Sequence, residues 1–443
     1  MFDIHTIDLP RSRRRRTSER VRLPAVVFRA AEAVGAPRAP IVWLVGGPGS
    51  AALQEARRSA AFFARLAKSR DVIVFDQRGA NGAWPDLTVR AAWPCAIDAA
   101  CSREQWSAAV RSAALDATRR LASEGTALAD FNTLENADDV IDVAAALGHR
   151  AALCLVGRSY GTQLAQQVLR AHGQRVQSVV LALVEPLHAT LKLPAVIHGH
   201  IARLCEALDA DAGWAPLFGG RRGGALARLW CLRETLRAEP VLETTADGRK
   251  VAVGEVEFVW ELCRLAGERS AIAALPWTIL RGEAGSFARP AMTAVAEKSG
   301  PLPMMQLAID VAHGADAARR ARIAAEAGGS ITGDLIDGCV LDLLDHLPVP
   351  DLGDVFRQPV RWDGPAWLLS GEHDARTPAQ GAAEVAAGLK GARHSTLLDC
   401  AHELPLTADF ADALADFFDG RAGPNHLGRP GPLFAQPLHS HMP

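Results

Sequence analysis

Through the first 186 positions, short apolar runs of strand length alternate with stretches whose apolar residues recur at helical spacing. Val21–Ala30 reads as a first strand or strand pair, followed by a loop at Gly35–Pro40. Ile41–Val45, Asp71–Phe75, Leu153–Val156 and Val176–Leu183 are further strand-length runs that are almost wholly apolar. A run without polar alternation predicts a strand covered on both faces. Helical spacing occupies the intervals to about Ser69, from Glu104 to about Ser123, and from Asn132 to Leu147. Asn132 is placed as the N-cap of the last of these, with Glu135 completing a capping box and Gly148 stopping the helix. Strands alternating with helices imply a mostly parallel sheet with helices on both faces.

The pattern changes after Glu185-Pro186. Helical periodicity prevails to about Asp363, as in Gly254–Ala266 and Ala315–Ala327, and no buried strand is expected there. Strand runs resume at Ala366–Ser370 and His394–Leu398, and a final helix is expected over Thr407–Phe418. The division is therefore a basic, flexible arm over 1–20, an α/β core over 21–186 and 364–420, a helical cap over 187–363, and a disordered Gly-, Pro- and His-rich tail over 421–443. A long insert between two strands of an open α/β sheet is expected over the strand carboxyl ends, where such sheets bind ligands.

Composition narrows the functional classes. The 443 residues are 49% hydrophobic and 22% charged with a net charge of −2, so no global field recruits nucleic acid or an anionic membrane. No apolar run approaches the roughly 18 residues of a membrane helix. The run Arg11-Ser12-Arg13-Arg14-Arg15-Arg16 is followed only by Pro24–Phe28 before Arg29, short of the about 7–15 apolar residues of an export signal. A cytoplasmic location is expected. Eight cysteines form no Cys-x-x-Cys pair, which argues against zinc and thioredoxin-like chemistry. Cys95 and Cys101 are close enough in sequence to bridge in an oxidising compartment, and Cys154 reads as a buried small hydrophobe.

The candidate chemistry begins where Leu153-Cys154-Leu155-Val156 runs into Gly157-Arg158-Ser159-Tyr160-Gly161, with helical spacing from Gln163 onward. Strand, sharp turn and helix around Gly-x-Ser-x-Gly form the context of a nucleophile elbow. A serine hydroxyl needs a base, itself oriented by an acid, and in this arrangement the chain order is Ser, Asp or Glu, then His. Asp374 follows the strand at Ala366–Ser370, and His402 follows the strand at His394–Leu398, so both fall at the sheet edge that carries Ser159. Glu372 and Glu185 are rival acids; His394, His373 and His346 are rival bases. Gly46-Gly47-Pro48-Gly49 closes the strand at Ile41–Val45 and fits an oxyanion loop, with the N–H groups of Gly47 and Tyr160 as donors. Arg78, in Asp76-Gln77-Arg78-Gly79, is expected to tie loops together through its planar fork of donors. No metal or organic cofactor is implied.

Taken together, Gly46–Gly49, Asp76–Gly79, Gly157–Thr162, Gly371-Glu372-His373-Asp374 with Thr377-Pro378, and Ala401-His402 resemble the prolyl and tripeptidyl aminopeptidase branch of the α/β-hydrolase family. The resemblance runs from about Val21 to Phe418 and is weakest in the cap. It implies a serine hydrolase that releases residues from the N-termini of short peptides through an acyl-enzyme on Ser159, an ester or amide hydrolase of the same mechanism being the alternative. A non-catalytic binding protein of this fold is a third reading, against which the intact serine, acid and base speak. Val45 stands where the family often has histidine. In Leu307–Gly314, Val311 stands for the family's cysteine and His313 lies near the expected acid. Cap carboxylates hold the substrate ammonium in the family; here Asp310, Asp316 and Glu261 are the candidates, with Gly46 also at the substrate.

Overall fold

The structure, a computed structural model, describes residues 2–15, 19–31, 38–90, 95–218, 224–421 and 423–436. Arg16, the loop residues Gly35, Ala36 and Pro37, and the tail from 437 onward lie outside them. Thirteen strands are present among the described residues. They are β1 (Phe2–Pro10), β2 (Arg20–Phe28), β3 (Ile41–Leu44), β4 (Val72–Phe75), β5 (Thr88–Val89), β6 (Leu153–Arg158), β7 (Val176–Ala182), β8 (Val241–Thr244), β9 (Lys250–Val253), β10 (Leu302–Pro303), β11 (Ala366–Gly371), β12 (Arg393–Leu397) and β13 (His426–Leu427). Nine form one sheet in the order β1-β2-β4-β3-β6-β7-β11-β12-β13. From β4 to β13 every pairing is parallel, whereas β1–β2 and β2–β4 are antiparallel.

The uninterrupted apolar runs are central strands because the two-residue period sends alternate side chains to two separate cores. Val42 and Leu44 join Ile73, Phe75, Leu155 and Leu181 on one face. Ile41 and Trp43 join Val72, Val74, Cys154 and Val156 on the other, beneath Phe62, Phe63 and Phe410. The first core continues into the helices between β7 and β11, taking in Trp214, Phe258 and Met305.

Four expectations are corrected. Residues 2–10 are no loose arm: β1 pairs with β2 from Phe2↔Phe28 to Pro10↔Arg20. The arginines that follow lie on an acidic helix face. Arg13 Nη2 reaches Asp139 at 2.9 Å and Asp142 at 2.6 Å, and Arg11 Nε reaches Asp130 at 3.2 Å. Second, Asn132 caps the helix Thr133–Ala146 by accepting the N–H groups of Leu134 and Glu135 at 3.0 Å, but the box is not closed. Glu135 turns instead to Ser12 Oγ and the Arg13 N–H, at 3.1 and 3.0 Å. Third, the 187–363 segment is not free of strands. β8 and β9 form a hairpin with Val251 and Val253 buried, and β10 pairs with β5. Runs of two to four residues are too short for their period to be read. Fourth, the described part of the tail is ordered, since β13 extends the sheet beside β12 and Phe434 is buried.

Cys95 and Cys101 are free thiols, and Cys101 Sγ lies 3.3 Å from Glu257 Oε1. Among the described residues no helix is long and apolar enough to cross a membrane.

Arg78 ties loops together as expected. Fully buried, it grips Asp139 with Nε and Nη2 at 2.7 and 2.6 Å and donates to the Asp130 carbonyl at 2.9 Å. Removing one partner of a buried pair strands the other charge. Arg78→Ala is therefore expected to lower unfolding free energy by about 3–5 kcal/mol in denaturant titration. A loss below about 1 kcal/mol, the range of a surface pair, would contradict this role.

Candidate active site

Three loops at the carboxyl ends of β3, β6 and β11, with a fourth after β12, build the site. β6 ends at Arg158, the helix Tyr160–His172 begins two positions later, and Ser159 bridges them at φ 54°, ψ −125°. Such a tight reversal leaves no room for neighbouring side chains. A Cβ on Gly157 would lie 2.4 Å from the Gly161 carbonyl oxygen, and one on Gly161 would lie 2.1 Å from that of Leu44. Both distances are far inside van der Waals contact, so glycine is required at each. The turn is held by the Ser159 N–H on the Ala182 carbonyl at 3.0 Å, and by Thr162, whose N–H and hydroxyl donate to the Ser159 carbonyl at 2.7 and 2.6 Å.

Ser159, His402 and Asp374 are brought together from 243 residues of sequence separation. His402 Nε2 lies 2.8 Å from Ser159 Oγ, and His402 Nδ1 lies 2.8 Å from Asp374 Oδ2. An ionised carboxylate only accepts, so Nδ1 carries the proton and Nε2 is left to accept the serine hydroxyl. Burial alone would raise the Asp374 pKa. The facing His402, its hydrogen bond and those from Thr377 outweigh burial and hold it below the ordinary carboxylate value. Asp374 Oδ1 accepts the N–H groups of Arg376 and Thr377 at 2.8 and 3.0 Å, and Oδ2 accepts the Thr377 hydroxyl at 2.6 Å. The same hydroxyl oxygen is 3.1 Å from His402 Nδ1. The His402 N–H, in turn, is anchored on the Gly267 carbonyl at 2.9 Å.

The rival acids and bases are engaged elsewhere. Glu372 accepts the Asp399 N–H at 2.8 Å, and Glu185 pairs with Lys192 Nζ. His394 Nε2 faces Ser370 Oγ at 2.9 Å, His373 faces Glu372 at 3.7 Å, and His346 Nδ1 lies 2.8 Å from the Asp342 carbonyl.

Gly46 lies against the nucleophile: a Cβ there would be 2.9 Å from Ser159 Cβ. Gly47 has φ +110°. Its N–H and that of Tyr160 are not spent on hydrogen bonds among the described residues, and both residues border a small cavity beside Ser159. The glycine loop is braced by Gln77, whose Oε1 accepts the Gly49 N–H at 2.9 Å while Nε2 donates to the Val45 carbonyl at 3.0 Å. Asp76 Oδ1 accepts the Ala52 N–H at 2.7 Å. Gln77 thus supplies the loop bonding for which residue 45, as valine, has no side-chain donor. The Tyr160 ring is fixed from behind by Thr133 Oγ1 at 3.0 Å and Asn136 Nδ2 at 3.2 Å.

The proposed ammonium holders separate clearly. Glu261 is buried and spent on Arg264, Arg289 and Thr293, at 2.9, 2.9 and 2.7 Å, so it does not face Ser159. Asp316 caps the helix Ala317–Ala327 and is exposed. His313 is wholly buried between Thr133 and Thr190, at 2.6 and 3.0 Å; burial, then Arg357 and Lys192, push its pKa down to about 3. It is a neutral brace. Asp310 alone of the set borders the small cavity that Ser159, Tyr160 and His402 also line. Sequence reasoning missed the neighbours there, Asp337 and Lys192, and it missed Thr377, Arg376 and Gln77 as parts of the site. Thr377 and Gln77 lay inside quoted motifs, so their positions were visible while their bonds were not.

A second, larger cavity of about 530 Å³ also opens at Ser159. Gly46, Trp106, Trp260, Glu297, Arg376 and His402 are among its walls.

The Thr377 hydroxyl donates to a charged acceptor, an interaction of about 1.5–3 kcal/mol. Thr377→Val is expected to slow phosphonylation of Ser159 by an organophosphonate about 10–100-fold, and Thr377→Ser to restore most of it. Equal labelling rates in the wild type and the valine variant would show that the hydroxyl does not orient the pair.

Residues 39–197 match the family described as alpha/beta hydrolase fold. No curated protein matches the chain. Among solved structures, similarity extends to an esterase from Thermogutta terrifontis at 13% identity and TM-score 0.40. It extends also to a proline iminopeptidase from Mycobacterium smegmatis at 17% and 0.43, and to an epoxide hydrolase from metagenomes of hot environments at 13% and 0.40. In all three, 94% of this chain and 98% of the other are covered. The chain has the α/β-hydrolase fold, with a mostly parallel central sheet and helices on both of its faces.

Proposed function

We propose that the protein is a serine hydrolase that removes N-terminal residues from short peptides through an acyl-enzyme on Ser159. The observation that carries this reading is the unbroken hydrogen-bonded line from Ser159 Oγ through His402 to Asp374 Oδ2. In the forward step, Ser159 Oγ attacks the scissile carbonyl carbon while His402 Nε2 takes its proton. The carbonyl oxygen becomes an oxyanion facing the N–H groups of Gly47 and Tyr160. Collapse breaks the C–N bond, His402 returns the proton to the departing amine, and the acyl group remains on Ser159. Water then attacks the ester by the same sequence. Asp374 holds the imidazole tautomer and faces the positive charge that forms on it.

The helices between β7 and β11 act as a cap. Trp260, Glu297 and Asp310 come from that segment and border the two cavities at Ser159. Asp310 supports the aminopeptidase reading. The small cavity, about 50 Å³, gathers Asp310, Asp337 and Glu185 with two cations, Lys192 and Arg376. Burial, then the charges of Asp337 and Glu185, raise the Asp310 pKa well above its ordinary value. An ammonium group entering there relieves the like-charge repulsion and is favoured by it.

The test is an aminoacyl-arylamide set against its N-acetylated twin. The free amine is expected to be preferred by about two orders of magnitude or more, because blocking it removes the charge that Asp310 would pair with. Equal rates would leave an ester or amide hydrolase without an ammonium site. In the same assay Asp310→Asn is expected to reduce kcat/KM for the free amine about 10–100-fold, the size of a lost charge-assisted hydrogen bond. An unchanged kcat/KM would remove Asp310 from the ammonium site.

A further inference from the structure

Most arginines around the site are already committed. Arg158 pairs with Glu55 at 2.8 Å, and Arg264 with Glu261 and Glu268 at 2.9 and 2.7 Å. Arg376 is different. No hydrogen bond or ion pair of its guanidinium is found among the described residues, although its backbone N–H is fixed on Asp374 at 2.8 Å. It borders the large cavity, the small acidic one, and a third of about 240 Å³ that reaches Thr377 and Pro378. The path of its side chain is defined by Gly267. A Cβ on that glycine would fall 2.6 Å from Arg376 Cδ and 2.9 Å from His402 Cβ. The arginine stem therefore runs directly beside the base, through space that a larger residue at 267 would close.

A planar fork of donors with no carboxylate in its grip, next to the group that protonates the leaving amine, matches one kind of ligand. That ligand is a carboxylate on the leaving side of the scissile bond. Three carboxylates border the large cavity: Glu268 is paired with Arg264, while Glu297 and Glu403 close no ion pair with Arg376. Glu297 is exposed where it borders the cavity; desolvation by the surrounding atoms raises its pKa, and the charge of Arg376 opposes the rise.

Resting on the aminopeptidase reading, we infer that Arg376 binds the free α-carboxylate of the released residue. The substrates are then dipeptides and similarly short peptides with an unblocked C-terminus. In a dipeptide the ammonium reaches Asp310 in the small cavity. The carboxylate meets Arg376 where its side chain borders the large cavity, and the peptide bond lies across the nucleophile. The large cavity takes the leaving residue's side chain.

The experiment compares kcat/KM for a dipeptide and for its C-terminal amide, the first residue being the one whose arylamide is turned over fastest. Wild type is expected to favour the free acid about tenfold or more, the effect of one charge-assisted contact. In Arg376→Gln that ratio is expected to fall to about one, with Arg376→Lys between the two, since a point charge lacks the fork. Glu297→Gln removes the competing carboxylate and is expected to raise the ratio. Equal rates for acid and amide in the wild type, with the arylamide turned over, would overturn the Arg376 assignment alone. So would a preference that survives Arg376→Gln, or a ratio that falls in Glu297→Gln. No turnover of any free-amine arylamide would overturn the peptidase reading and the dipeptide class together.

Discussion

Everything chemical in this protein hangs on a contact in which two backbones come too close for a side chain. The Leu44 carbonyl at the end of β3 and the first turn of the helix Tyr160–His172 meet at Gly161, where a Cβ would sit 2.1 Å from oxygen. Gly157 closes against the same turn from the strand side. That double approach holds Ser159 at positive φ, a conformation that costs about 1–3 kcal/mol for a residue with a side chain. The strain is carried by the sheet. Cys154, Leu155, Val156 and Gly157 are locked in parallel register with Ile41, Val42, Trp43 and Leu44, so the turn cannot relax without pulling apart two central strands. The hydroxyl is thus presented above the sheet edge, where the loops after β11 and β12 deliver Asp374 and His402.

Much of this was visible in the chain because its signals are local and strong. The apolar runs of β3, β4, β6, β7 and β11 are continuous, the turn after β6 is spelled by two glycines around a serine, and the order Ser, Asp, His follows from where strands end. What was hidden depends on partners far away in sequence. Arg11, Arg13 and Arg15 look like a solvated arm until Asp130, Glu135, Asp139 and Asp142 come beneath them. Glu135 has the right spacing for a capping box, yet it satisfies the N-terminal segment instead. Glu261 has the right charge for an ammonium site, but two arginines consume it. Charge and spacing can be read from a sequence; which of two partners wins is decided by packing.

The electrostatics of the site sort its acids by task. Asp374 is surrounded by donors and stays ionised, as the orientation of a protonated imidazole requires. Burial first, and the charges of Asp337 and Glu185 after it, raise Asp310. Buried carboxylates with opposite shifts within one site are a mark of divided roles. Around them, neutral braces such as His313, Thr133 and Gln77 fix the tyrosine and the glycine loop without adding charge. Rigid donors aimed at a single point are what lower a barrier through charge that develops only in the transition state.

The most direct measurement is mass-spectrometric mapping of the protein after reaction with an organophosphonate. One adduct per chain is expected, on the peptide containing Ser159. An adduct on another residue, or a fully folded protein that takes up no phosphonate, would contradict it.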